Sequence, residues 1–163
     1  MTVSGLGLFL PDEAATLNLG ASLAEVVGPG IIRLQGELGA GKTCFVQGLA
    51  LGLGVEETVP VISPTFCIHA RYAGRRELNH IDAYRLAGAP DHDRLGFEEL
   101  FADAGITAVE WPSLLDPELR PADSIEITFI LAGETRRTLA ITVADSDRVL
   151  LDGLAATRGI AQA

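Results

Sequence analysis

Residues Ser4 to Leu10 can form a short strand, and Pro11-Asp12 then breaks it and offers a carboxylate as N-cap for a helix over Glu13–Val27. Within that helix Leu17, Ala21, Ala24 and Val27 recur on one side, which predicts its buried face, and Gly28-Pro29-Gly30 ends it. Ile31–Gln35 is a mostly apolar strand that runs directly into Gly36-Glu37-Leu38-Gly39-Ala40-Gly41-Lys42-Thr43, after which Lys42 to about Leu53 reads as a helix. Val55–Pro64 is expected to be an irregular loop. Phe66–Tyr72 and Glu77–Asp82 flank Gly74 as a hairpin whose second strand could instead join the central sheet. Leu95–Asp103 predicts a short helix, and Ile106–Val109 a buried strand ending at Glu110-Trp111-Pro112.

Beyond that point the period changes to two. Ile125, Ile127, Phe129 and Leu131 alternate with Glu126, Thr128 and Ile130, and Gly133-Glu134 turns the chain into Arg137, Leu139, Ile141 and Val143, an antiparallel hairpin. Ser146–Ala163 reads as a short helix fraying into a tail. Parallel βα units in the middle with antiparallel strands outside predict an α/β fold: three layers, with a parallel central sheet extended by antiparallel edge strands. Neither an internal repeat nor a long linker divides the 163 residues, so one domain over 1–163 is expected.

With 48% hydrophobic and 21% charged residues the chain can build a packed core. Twelve Lys and Arg against 22 Asp and Glu give a net charge of −10, which disfavours autonomous binding to RNA or DNA. The chain shows no basic leader and no apolar run of about eighteen residues, so a cytoplasmic protein without a membrane span is expected. Cys44 and Cys67 have neither disulfide-framework nor zinc-ligand spacing and are expected to be small apolar fillers. His69, His80 and His92 are dispersed and read as structural or surface residues. Eleven of the twelve basic residues are Arg; the single Lys is Lys42, where a compact, flexible ammonium is specifically wanted.

Gly36-x-x-x-x-Gly41-Lys42-Thr43 satisfies the phosphate-loop pattern, in which backbone N–H groups cradle polyphosphate at a helix N-terminus and the glycines allow the close approach. Lys42 would reach the β- and γ-phosphates and the Thr43 hydroxyl would ligate Mg²⁺. Hydrolysis needs a further acid to position metal or water. Glu110 closes an apolar strand, where such a group stands in open α/β sheets, and Asp82 follows a strand-like segment in His80-Ile81-Asp82-Ala83-Tyr84-Arg85. Thr65, in Ser63-Pro64-Thr65-Phe66 after the loop's helix, could sense γ-phosphate or simply sit in a turn. Trp111, just past Glu110, could stack near a nucleotide or belong to the core.

The segments GELGAGKT, SPTF, HIDAYRL and VEWP, in this order and at these intervals, resemble the TsaE (YjeE) family of bacterial P-loop ATPases over about residues 5–145. The sequence departs from the family's usual pattern at Ala83, Cys67 and Ser113. The resemblance implies an accessory ATPase for threonylcarbamoyladenosine modification of tRNA beside the anticodon. Such a protein binds ATP, releases ADP, uses Mg²⁺ and supports turnover of a TsaD–TsaB complex in which TsaD is the transferase, so that tRNA is met only through that complex. It implies Gly36 to Thr43 as the phosphate and Mg²⁺ loop, Glu110 as second metal ligand and Asp82 at the attacking water, with the two acids' roles exchangeable. Thr65 would report the γ-phosphate and Trp111 lie beside the site. The same resemblance places Glu13 and one of Arg136 and Arg137 near the nucleotide.

Three other readings compete. A GTPase would carry an Asn-Lys-x-Asp signature, which a chain with one Lys at position 42 cannot have. A small-molecule kinase needs an arginine-bearing lid, for which only Arg71-Tyr72-Ala73-Gly74-Arg75-Arg76 offers itself; its plainer readings are a solvated hairpin tip or a partner-docking patch. A non-enzymatic module would hold nucleotide without turnover.

Overall fold

A computed structural model describes residues 3–87, 96–101, 105–115, 124–144, 147–155 and 161–162. Eight strands form one sheet: β1 (Val3–Leu10), β2 (Gly30–Gln35), β3 (His69–Tyr72), β4 (Leu78–Asp82), β5 (Ile106–Glu110), β6 (Ser124–Leu131), β7 (Arg137–Ala144) and β8 (Ala161–Gln162). The spatial order is β3-β4-β5-β2-β6-β7-β1-β8. β4, β5, β2 and β6 run parallel, while β3 on one side and β7, β1 and β8 on the other are antiparallel. The hairpin and central-sheet readings of Glu77–Asp82 are thus both satisfied: β4 pairs with β3 and also with β5.

Alternation along the central strands sorts side chains into two layers. Ile32 and Leu34 of β2, Ile106 and Ala108 of β5 and Leu78 of β4 face helices α1 (Glu13–Val26) and α2 (Lys42–Gly52), where Leu19, Leu23, Phe45 and Leu49 complete the core. Leu151 and Leu154 of α4 (Arg148–Ala155) join that layer. Ile31, Ile81 and Val109 face the opposite way, onto Leu100 of α3 (Phe97–Phe101) and the 3₁₀ turns at Ala83–Leu86 and Pro112–Leu114. Among the described residues no helix is long and apolar enough to cross a membrane.

Asp12 caps α1 as expected, its Oδ1 accepting from Ala15 N at 2.8 Å. The helix is rotated from its predicted face, however. Ala15, Thr16, Leu19, Gly20, Leu23 and Ala24 are buried, whereas Leu17 and Ala21 are only half-buried. The cause is the crossing with α2, where small residues let the backbones meet. A Cβ on Gly48 would lie 2.1 Å from Leu17 O, and one on Gly20 would lie 2.3 Å from Phe45 O.

Five further expectations are corrected. Phe66–Ile68 is a turn and not strand, with Ile68 at φ 67, and β3 starts only at His69. Leu131 at the β6 end is exposed, as is Cys67, which is no core filler. The C-terminus does not simply fray, since Ala161 and Gln162 pair with Phe9 and Leu8 of β1.

The fifth concerns the arginine tip. Arg75 donates to Ala24 O at 2.8 Å and to Gly52 O, and pairs with Glu25 at 2.8 Å; Arg76 donates to Val27 O. Two cations thus cap the carbonyl ends of α1 and α2, where orphan acceptors and the negative ends of the helix dipoles lie. The tip is exposed at Ala73, Gly74 and Arg75, as its solvated reading expects, but its arginines are tied to helix ends and form no lid over the glycine loop. α2 has 11 residues and is therefore about 16 Å long, which keeps Arg75 at the far end of the helix from the glycine loop. His92 lies outside the described residues, as do the flanks of the predicted 95–103 helix.

Candidate functional site

Parallel strands deliver their C-terminal ends to one edge of the sheet, where ligands of open α/β folds bind. Here β2 ends at the glycine loop, β5 at Glu110 and β4 at Asp82, with Leu34 opposite Glu110 and Glu110 opposite Asp82 in register. Because Leu78, His80 and Asp82 alternate with Asn79 and Ile81, His80 and Asp82 share the face on which Glu110 lies.

The loop fits against β6 only as glycine at position 36, where φ is 143 and a Cβ would stand 2.8 Å from Phe129 O. Its carbonyls are held by the chain's own cations. Lys42 Nζ donates to Gly36 O and Glu37 O at 2.8 Å each, and Arg137 donates from Nε to Ala40 O at 3.0 Å and from Nη2 to Gly39 O at 3.3 Å. Lys42 is 4% exposed, and its ammonium lies 3.9 Å from the centroid of the Trp111 ring. Burial lowers its pKa below the ordinary 10.5, against the opposing pull of Glu110 and Asp82. Trp111 reaches that position through a left-handed backbone, φ 58, immediately before Pro112.

Thr43, one residue into α2, donates its hydroxyl to Glu110 Oε1 at 2.8 Å, and His80 Nε2 meets the same oxygen at 2.9 Å. Asp82 Oδ2 accepts from Ser63 and, at 2.9 Å, from Thr65, while its Oδ1 accepts from Tyr84 N at 2.9 Å. Asp82 therefore ties the Ser63–Thr65 loop to the end of β4. Both carboxylates are buried, each 3% exposed. These groups line one cleft of about 250 Å³, formed by Leu38 to Cys44 with Ser63, Thr65, Asp82, Glu110 and Trp111.

Of the residues picked from sequence, Gly39, Ala40, Gly41, Lys42, Thr43, Leu38, Thr65, Asp82, Glu110 and Trp111 thus converge in space. Gly36 and Glu37 adjoin them through Lys42. Glu13 opens α1 beside the start of α2, its carbonyl 3.5 Å from the Cys44 thiol. Arg137 touches the loop; Arg136 is exposed and packs against Gly133 in the β6–β7 turn. Cys44 is half-buried, and burial with Glu13 nearby pushes its thiol up to about 11. Among the described residues no three His, Cys, Asp or Glu side chains are grouped to hold a metal by themselves. Sequence reasoning missed His80 and Ser63. The alternation of β4, which sets His80 on the face of Asp82, was the available signal for the first.

The family model for "Threonylcarbamoyl adenosine biosynthesis protein TsaE" matches residues 10–139. Proteins described as "tRNA threonylcarbamoyladenosine biosynthesis protein TsaE" are among the relatives. The one from Treponema pallidum is 40% identical over 111 residues, 68% of this chain and 80% of its own; the one from Nostoc sp. is 38% identical over 140 residues, 83% and 84%. That of Bacillus subtilis is 38% identical over 135 residues, covering 81% of this chain and 80% of its own. Among solved structures, the crystal structure of Bacillus subtilis YdiB superposes with a TM-score of 0.77 at 30% identity, covering 95% of this chain and 97% of that one.

Proposed function

This chain belongs to the TsaE family of tRNA threonylcarbamoyladenosine biosynthesis proteins, and from that premise we propose that it is an Mg²⁺-dependent ATPase serving a TsaD–TsaB complex. The observation that carries the reading is the Thr43–Glu110 hydrogen bond. It joins the glycine loop to the carboxylate of the neighbouring strand, with Asp82 level on the next strand. The loop carbonyls at 36, 37, 39 and 40 accept from Lys42 and Arg137, and Ala40 N–H donates to Glu37 O at 3.2 Å, so the N–H groups that would meet an anion are those of the other loop positions.

The donor set fits a nucleotide-bound Mg²⁺, which takes one or two carboxylates and keeps phosphate and water oxygens for the rest of its shell. Thr43 and Glu110 would hold it, with Asp82 able to exchange roles with Glu110. Bound there, Mg²⁺ supplies neutralisation of charge on the β- and γ-phosphate oxygens. Lys42 contributes a second cation to the same phosphates. Asp82, with its carboxylate fixed by Ser63, Thr65 and Tyr84 N, orients the attacking water, and Thr65 beside it registers the γ-phosphate. Glu13, Arg137 and Trp111 border the nucleotide, and the product is ADP.

Leu38 at the cleft and Phe66 beside Thr65 are 80% and 89% exposed. Exposed apolar side chains at the mouth suit a protein partner that closes the cleft, so hydrolysis by the chain alone is slow. The charge of −10 suits a protein that leaves tRNA to that partner. Trp111 is the only Trp, so its fluorescence reports ligands at the cleft. ATP should change it saturably in wild type and not in Lys42→Ala. An identical response in both would refute the assignment of the loop.

A further inference from the structure

His80 is fully buried on β4, with no solvent exposure. Its Nε2 lies 2.9 Å from Glu110 Oε1, and its Nδ1 has no hydrogen-bond partner among the described residues. A buried polar atom without a partner is a standing penalty, and an aliphatic side chain of similar volume would avoid it. The penalty persists only where the other nitrogen does something an aliphatic chain cannot. Among the described residues the buried Glu110 carboxylate accepts from Thr43 and His80, both on Oε1, and no donor falls on Oε2. Two donors converging on one oxygen from α2 and β4 stop the carboxylate from rotating, and the free oxygen is then the one presented to the cleft that Glu110 lines.

We infer that His80 is a positioning residue: the Nε2–H it donates to Oε1 orients Glu110 so that Oε2 is the oxygen available to a nucleotide-bound divalent cation. The inference rests on the reading of Glu110 as a metal ligand. Groups that orient ligands in this way typically change metal affinity by about 10–100-fold when removed.

The test uses the full chain with Mn²⁺ as the probe, its binding followed by electron paramagnetic resonance in the presence of ADP. Metal-free ADP binding is followed by Trp111 fluorescence, and folding by thermal melting. His80→Leu removes the donor; His80→Gln keeps an amide N–H at about the reach of Nε2; His80→Asn keeps one only at the reach of Nδ1. His80→Leu and His80→Asn should each raise the Mn²⁺ Kd at least about tenfold while metal-free ADP binding stays near wild type. His80→Gln should restore most of the Mn²⁺ affinity. Wild-type Mn²⁺ affinity in His80→Leu, or equal losses in His80→Gln and His80→Asn that follow the melting temperature, would overturn the inference. If His80→Leu does not fold, the Gln and Asn pair decides alone. Absence of ADP-dependent Mn²⁺ binding in the wild-type chain would instead overturn the metal-ligand reading of Glu110, and the inference with it.

Discussion

Replacing Gly48 by Ala probes the contact that sets the angle of α2 and hence the place of the loop at its start. A Cβ at this position would stand 2.1 Å from Leu17 O, 3.0 Å from Leu17 C and 3.1 Å from Gly20 Cα. Ordinary contact between carbon atoms begins at about 3.5 Å, so α1 and α2 must part by on the order of 1 Å. The obstacle is helix backbone on both sides and cannot swing aside. Overpacking of this kind costs about 1–3 kcal/mol, occasionally more, and a rigid obstacle places Gly48→Ala at the upper end. The better helix propensity of Ala offsets about 1 kcal/mol, leaving a net loss of about 2 kcal/mol. For a chain of this size that is a fall in melting temperature of roughly 4–8 °C. Displacing Lys42 and Thr43 by a similar distance should also weaken ATP binding, because misplacement of about 1 Å at a catalytic constellation can lower rates about 100-fold. Gly28→Ala is the control, since a Cβ there meets nothing within 4 Å, and it should stay within about 0.5 kcal/mol of wild type. Differential scanning fluorimetry of both variants suffices. A Gly48→Ala melting temperature indistinguishable from that of Gly28→Ala would refute the close crossing.

Arg75→Ala should destabilise by about 1–2 kcal/mol through lost capping of α1 and α2 and leave ATP binding unchanged, as melting curves and Trp111 fluorescence would read; loss of nucleotide binding with no loss of stability would contradict the capping role. At pH 8 a disulfide reagent should modify exposed Cys67 quickly and Cys44 slowly, because the Cys44 thiol is pushed up to about 11; equal rates would contradict that environment. The folded-state pKa of Lys42 lies below its unfolded value of 10.5, so the unfolded chain binds more protons between the two. The contribution of Lys42 to stability therefore rises with pH across that window and is largest above 10.5. Wild type should accordingly gain stability relative to Lys42→Met as pH is raised towards 10.5, and a difference that stays flat or shrinks in denaturant titrations would go against the burial of the ammonium.

The sequence carried the parts of this molecule that depend on neighbours along the chain. The Asp12 cap, the strand–loop–helix around Gly36–Thr43, the buried strand ending at Glu110 and the period-two hairpin are written in spacing alone, and so were legible. What depended on distant backbone was not. The buried side of α1 is chosen by glycines on α2, in a helix apolar on most sides, so Leu17 and Ala21 read as core when Leu19 and Leu23 are. The capping role of Arg75 and Arg76 was hidden because their acceptors are main-chain carbonyls about 25 to 50 positions away. The pairing of Ala161–Gln162 with β1 has no periodicity to announce it. Arg137 could be told from Arg136 only once the turn placed one against the loop and the other against Gly133.

The central claim is that Lys42, Thr43, Asp82 and Glu110 hydrolyse ATP in service of a transferase complex. Its most direct test is Mg²⁺-dependent ATP hydrolysis by the purified chain, alone and with TsaD and TsaB from the same organism, with Lys42→Ala as control. A slow intrinsic rate that rises clearly with both partners and vanishes in Lys42→Ala is the expected result. Turnover that is fast without partners, or that no combination of TsaD and TsaB changes, would contradict it.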